Sequence, residues 1–251
     1  MKTIQMPAQE IPVLAETDVL VVGSGPGGLA AAVSAARAGV DTMLVERYGC
    51  FGGNLTHVGV EGIAWYRRPE TVDVEGIGPE FEARAKAQNA SYDEPQSTSQ
   101  GINSELFKVL ADNWIQAEGI RPLLHATAVD VLREGDQLTG IVVQSKAGRH
   151  AILAKRIVDA TGDADIANLA GAPCRKTPRE EMMAVTVMFS CSGVDKARFL
   201  DYVRENPMRY MDWGKEWQIE TDGKEDALFS PYLDKPFEQA RQSGLIPAGL
   251  K

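Results

Sequence analysis

Cysteine is scarce in this 251-residue chain: Cys50, Cys174 and Cys191 lie far apart and are odd in number. That argues against a disulfide framework and points to a reducing cytoplasm. The sequence has no C-x-x-C pair and no cluster of cysteine with histidine, so zinc and iron–sulfur sites have no support. It has no basic block either. Its 26 lysines and arginines stand against 35 acidic residues, a net charge of −9 that repels phosphate backbones and disfavours nucleic acid as a partner. No apolar run approaches the length of a membrane span, and residues 1–16 mix polar residues with proline rather than forming the apolar stretch of a secretion signal. There is no internal repeat and no low-complexity tract. What remains is ordinary globular usage, 44% hydrophobic and 24% charged, enough for a substantial core.

The order of elements is legible near the start. Asp18 to Val22 is a short, continuous, valine-rich run that ends in glycine, the pattern of a strand buried on both faces. From Gly27 to Ala38, Leu29, Ala32, Val33 and Ala36 recur at helical spacing, and Gly39 stands where a helix closes. Thr42 to Val45 reads as a second buried strand ending at Glu46, which completes a βαβ unit. Further on, 49–62 holds five glycines and reads as irregular, and 88–100 reads as an exposed polar loop. A helix is expected between Asn103 and Glu118, with Leu106, Val109, Leu110 and Trp114 on its apolar side. The turn signals at 135–137 and 146–148 split 123–153 into a small antiparallel meander. Arg156 to Ala160 then reads as a core strand leading into a short helix that Gly171 ends. Met183 to Phe189 reads as a strand and Val194 to Arg204 as a helix.

Gly23, Gly25 and Gly28 form a G-x-G-x-x-G signature, with Ser24, Pro26 and Gly27 between them. By itself the pattern is weak. Here it follows a strand and opens a helix, the context in which it binds a dinucleotide. Gly23 permits the tight turn, Gly25 lets the backbone approach a pyrophosphate, and Gly28 lets helix and strand pack closely. The free N–H groups at the helix start face the phosphates, aided by the helix dipole. Glu46, 18 residues after Gly28, is placed to accept hydrogen bonds from the adenosine ribose and to repel a 2′-phosphate. The loop alone does not choose between FAD and NAD.

The meander followed by Ala160-Thr161-Gly162-Asp163 makes that choice. With Gly23 to Gly28, Glu46-Arg47 and Gly52-Gly53-Asn54-Leu55-Thr56, it resembles FAD-dependent oxidoreductases of the glutathione-reductase-like fold, related to fumarate reductase flavoproteins and the flavin subunit of heterodisulfide reductase. The resemblance spans roughly Asp18 to Asp195. It implies an α/β fold: a Rossmann-like βαβ FAD-binding domain with a parallel sheet and a small meander over 1–178, with 63–101 as a partly irregular insertion. Residues 179–251 are then the start of an α+β substrate or cap domain. The resemblance further implies that Ala160, Thr161, Gly162 and Asp163 lie along the flavin pyrophosphate and ribityl chain, Asp163 alternatively serving as a helix N-cap. Ala128 or Val129 would offer backbone to the adenine edge. Gly52, Gly53, Asn54 and Thr56 would pass under the flavin ring.

Catalytic candidates are few. Cys50 has no partner for dithiol chemistry, and its plain reading is a small half-buried residue. His57 is a candidate general base by its ordinary pKa, against a structural hydrogen-bonding role. Tyr66, Arg67 and Arg68 are candidates for holding an anionic substrate, against a solvated turn before Pro69. His125 and His150 read as structural. Family members are usually longer and carry a substrate domain in their C-terminal half. Either another chain completes the site, or the sequence is a fragment or a pared-down variant; the expectation is an FAD-dependent dehydrogenase or reductase of a small organic substrate, completed by a second copy or by a partner chain supplying that half. A non-catalytic FAD-binding or electron-transfer subunit is the first alternative, and an NAD-binding protein using the same loop is the second.

Overall fold

The computed structural model describes residues 2–5, 7–63, 75–93, 100–182, 187–188, 191–205, 209–210, 217–218 and 239–245. The chain divides into two units, Met1–Glu94 with Thr98–Glu180, and Pro95–Ser97 with Glu181–Lys251.

In the first unit, β1 (Val13–Val22) leads through the glycine loop into α1 (Pro26–Arg37), and β2 (Thr42–Val45) follows. After the glycine-rich stretch, which includes a 3-10 turn at Gly53–Leu55, come β3 (Gly62–Ile63), α2 (Ile77–Ala87), β4 (Ser91–Asp93) and β5 (Gln100–Ile102). Then α3 (Ser104–Ala117) leads to β6 (Arg121–Leu123), the meander strands β7 (Thr127–Glu134), β8 (Gln137–Ser145) and β9 (Gly148–Asp159), and α4 (Asp165–Leu169). The second unit contains α5 (Lys196–Glu205) and the antiparallel pair β10 (Arg209–Tyr210) and β11 (Trp217–Gln218).

Six strands form one sheet in the order β6-β2-β1-β9-β8-β7. Strands β6, β2, β1 and β9 run parallel; β8 and β7 join antiparallel. The third meander strand and the core strand read from Arg156 onward are thus one element. Strand β9 pairs with β8 over Gly148–Leu153 and with β1 over Ala151–Asp159, so the meander extends the Rossmann-like sheet.

Burial follows from the period-2 alternation of strands. Val21 and Leu44 face the layer built by Leu29, Ala32 and Val33 of α1 together with α2 and α3. Leu20, Val22, Met43 and Val45 point to the other face, where they join Ile141, Val143, Ile152 and Ile166. Both faces of Leu20–Val22 at the end of β1, and of β2, are dry, which is why these stretches read as continuous apolar runs.

Two expectations are corrected. The segment 88–100 is not simply an exposed loop: Ser91–Asp93 pairs with Gln100–Ile102, and Gln100 is buried with its amide donating to Asp93 at 2.6 Å. In α3 the buried face is Phe107, Leu110, Ala111, Trp114 and Ile115, while Leu106 and Val109 are 42% and 54% exposed. Phe107 and Trp114 meet Phe81 of α2, at ring-centroid distances of 5.8 and 4.1 Å, and that contact sets the rotation of the helix. Asn103 caps α3, its side chain accepting from the N–H groups of Glu105 and Leu106. The strand expected at Met183–Phe189 lies largely outside the described residues; the helix expected at 194–204 is α5.

Candidate dinucleotide-binding site

From β1 the chain leaves through α1 to β2 and β6 on one side, and later returns on the other side as β9. The strand order therefore switches between β1 and β9, and open α/β sheets bind ligands in the crevice outside the carboxyl ends of strands at such a point. There the structure has a cleft of about 620 Å³, within the range of small-molecule and cofactor sites.

The glycine loop forms its floor. Gly23 donates its N–H to Val45 O at 2.8 Å and has φ +96°, where a side chain would strike the Ala160 carbonyl. A Cβ on Gly28 would collide with Gly23 O and approach Ala160 Cβ at 3.1 Å. The requirements at both positions come from the protein's own packing. Gly25 differs: its φ is −59°, and a Cβ there would meet no protein atom within 4 Å. Neither strain nor packing calls for glycine at this position; the space it leaves is cleft. Helix α1 begins at this point with Pro26 at its first turn, no side-chain cap and no acidic residue. Its uncapped N-terminus is available to an anion.

Gly53 packs on the loop, since a Cβ there would lie 2.8 Å from Gly25 Cα. Asn54 also lines the cleft. Gly52 and Thr56 instead build the segment that places them: Gly52 donates to Ser24 O at 2.9 Å, and the buried Thr56 hydroxyl donates to Phe51 O at 2.6 Å. Cys50 is half-buried and donates its thiol to Thr56 Oγ1 at 3.9 Å.

Glu46 is 5% exposed at the end of β2. Its Oε2 accepts from Ser24 N at 2.8 Å and Ser24 Oγ at 2.5 Å, and its Oε1 accepts from Tyr48 N at 2.9 Å. Arg47 and Tyr48 continue the rim; the Arg47 guanidinium lies 4.8 Å from the Tyr48 ring centroid. Across the cleft, Ala128 lies on the lining at a bulge of β7, while its neighbour Val129 is exposed outside it.

Ala160, Thr161 and Gly162 line the far wall. Asp159 orders them: its Oδ1 accepts from Thr161 N at 3.2 Å and Thr161 Oγ1 at 2.7 Å, and its Oδ2 from Ala167 N at 2.9 Å. Thr161 Oγ1 in turn accepts from Asp165 N at 2.9 Å. Asp163 is exposed and off the lining; the position before α4 is Ala164, so Asp163 does not serve as the cap.

His57 is exposed and stacked on Tyr48, with ring centroids 3.5 Å apart. It is not among the lining residues. Arg67, with Tyr66 and Arg68, lies outside the described residues. Tyr48, Val58, Thr127 and Asp159 line the cleft without having been picked from the sequence. A signal for Asp159 was present: it ends a valine-bearing strand beside the glycine loop, as Glu46 ends β2. Among the described residues no group of His, Cys, Asp and Glu is arranged to hold a metal, and no helix is long and apolar enough to cross a membrane.

Comparison with known proteins agrees with this geometry. Thiamine thiazole synthase of Methanococcus vannielii is 34% identical over 157 residues, covering 59% of this chain and 57% of the synthase. The Archaeoglobus fulgidus thiamine thiazole synthase is 30% identical over 189 residues, 70% of this chain and 67% of that one. Dihydrolipoyl dehydrogenase of Chlorobaculum tepidum is 34% identical over 161 residues, 59% of this chain and 30% of the dehydrogenase. The chain thus spans about a third to two thirds of the length of these relatives. The family profile described as FAD dependent oxidoreductase matches residues 18–245, nearly the whole chain. The switch-point cleft, the uncapped glycine loop and that match place the chain in the FAD-dependent oxidoreductase family, with FAD as its cofactor.

Proposed function

We propose that this chain is the FAD-binding part of an oxidoreductase that acts on a small organic substrate. The observation that carries the reading is Gly25. The protein has no packing reason for glycine there, and the space it leaves lies beside an uncapped helix start. Gly25, Pro26, Gly27 and Gly28 would hold the pyrophosphate, Glu46 the adenosine ribose, Ala128 the adenine edge, and Thr161 and Gly162 the chain toward the ring. Bound FAD supplies the electron-transfer chemistry. The protein supplies an anion cradle at the start of α1 and a carboxylate at the ribose.

The substrate side is completed elsewhere. Among the described lining residues, Asp159 is held by internal hydrogen bonds and Glu46 is committed to the ribose, and neither Cys50 nor His57 lines the cleft. This reading makes 1–178 the cofactor domain and 179–251 part of a substrate or cap domain, completed by a second copy or a partner chain. The described cysteines are free, which fits a reducing cytoplasm. The test is anaerobic bleaching of bound flavin by a panel of small organic substrates, run alongside a native mass measurement. Bleaching and turnover are expected from an assembly larger than the 27.2 kDa chain. Full turnover by the monomer would remove the partner from the account.

A further inference from the structure

The hydrogen bonds of Glu46 leave it less free than its position suggests. A carboxylate offers about four lone-pair sites. Three are taken by the protein's own donors: Ser24 N and Ser24 Oγ on Oε2, and Tyr48 N on Oε1. The Glu46 side chain is buried, 5% exposed, and the backbone that carries it is held. Its backbone N–H donates to Leu123 O at 2.9 Å and its carbonyl accepts from Ala126 N at 3.1 Å, so both sides of its peptide are pinned. Ser24 is equally fixed. It is fully buried, its N–H and hydroxyl both go to Glu46, and its carbonyl accepts from Gly52 N at 2.9 Å.

A ribose diol presents two hydroxyls, and reading both through one carboxylate takes two open acceptor sites. Glu46 has one, on Oε1. We infer that Ser24 is a positioning residue which restricts Glu46 to a single ribose hydroxyl, so that the site recognises an adenosine ribose through one of its two vicinal hydroxyls and tolerates loss of the other. The inference rests on the reading of the cleft as the FAD site.

The experiment measures the affinity of FAD-free protein for ADP, 2′-deoxy-ADP and 3′-deoxy-ADP by competition against FAD, monitored by flavin fluorescence. Removing the hydroxyl that Glu46 reads forfeits a bond to a charged acceptor, and the expected loss is about ten-fold or more; removing the other changes affinity by about two-fold at most. Ser24→Ala opens the second site on Oε2, and the penalty then falls on both deoxy analogues. Its melting curve reports that the variant is folded. Equal penalties for the two analogues in the unaltered protein would overturn the inference while leaving the FAD site intact. An asymmetry that survives in Ser24→Ala would remove Ser24 as its cause. Failure of both FAD and ADP to bind would overturn the site itself, and this inference with it.

Discussion

The glycines of the nucleotide loop answer to different physical requirements, and substitution tells them apart. Gly25 sits at a backbone geometry open to any residue, with no protein atom near its missing side chain. Gly25→Ala should therefore cost less than about 1 kcal/mol of stability, the scale of a weakened N-cap. It should nevertheless weaken FAD binding by about ten-fold or more, because the added methyl occupies ligand space. Gly28→Ala meets the Gly23 carbonyl and Ala160, and should cost about 1–3 kcal/mol whether or not FAD is present. Thermal melting and an FAD titration on the two variants check both halves; a destabilised Gly25→Ala would mean that the gap is needed for folding. The loop and the acid at the end of β2 were legible in sequence because their spacing is set by backbone geometry. The Ser24–Glu46 bonds were not. Whether a carboxylate faces a ligand or a neighbouring hydroxyl depends on how the loop closes in space.

At the scale of elements, one arginine joins three helices. Arg37, at the end of α1, pairs with Glu80 of α2 at 2.6 Å and with Glu118, just after α3, at 2.6 Å. Trp114 Nε1 also donates to Glu118, and the Arg84 guanidinium lies 4.4 Å from the Trp114 ring centroid. The hydrogen bonds from Arg37, then Arg84, hold the Glu80 carboxyl down at about 2, against an ordinary 4.5. The Glu118 carboxyl is lowered by Arg37 first and Trp114 second. A carboxyl with a lower pKa in the folded state stabilises fully above its unfolded value and loses that contribution as pH falls through the folded one. Replacing Arg37 with glutamine should therefore lower the melting temperature by a roughly constant amount above pH 4.5, and the gap should close as pH falls toward 2. Because these groups are partly exposed, the effect should also shrink in high salt. A gap independent of pH would show that Arg37 acts through packing alone. Helical spacing gave α3 its length and its Asn103 cap. It misplaced the buried face by about one residue, because Leu106 and Val109 compete with Phe107 and Ala111 for the core and the aromatic contacts to Phe81 decide which side wins.

At the scale of the whole chain, the parallel sheet and its switch point explain why residues from four distant segments share one cleft. Segments 22–28, 45–54, 126–128 and 159–162 all lie at the end of the sheet where β1, β2 and β9 finish. The sequence exposed the strands through their apolar runs and the turns through glycine. It did not show that β9 serves both the meander and the core, since a 12-residue strand with partners on both sides looks like two short ones when read locally. The substrate half stays the least legible: its expected residues Tyr66, Arg67 and Arg68 were picked by residue type alone, without the fixed spacing that made the glycine loop and Glu46 readable, and they lie outside the described residues. The account depends most on the cleft being an FAD site rather than a generic dinucleotide site. Parallel titrations of cofactor-free protein with FAD and with NAD, followed by intrinsic fluorescence and the visible flavin spectrum, test this most directly. The account predicts saturation at one FAD per chain, a shifted flavin absorption band and no comparable response to NAD. Saturable binding of NAD with none of FAD would contradict it.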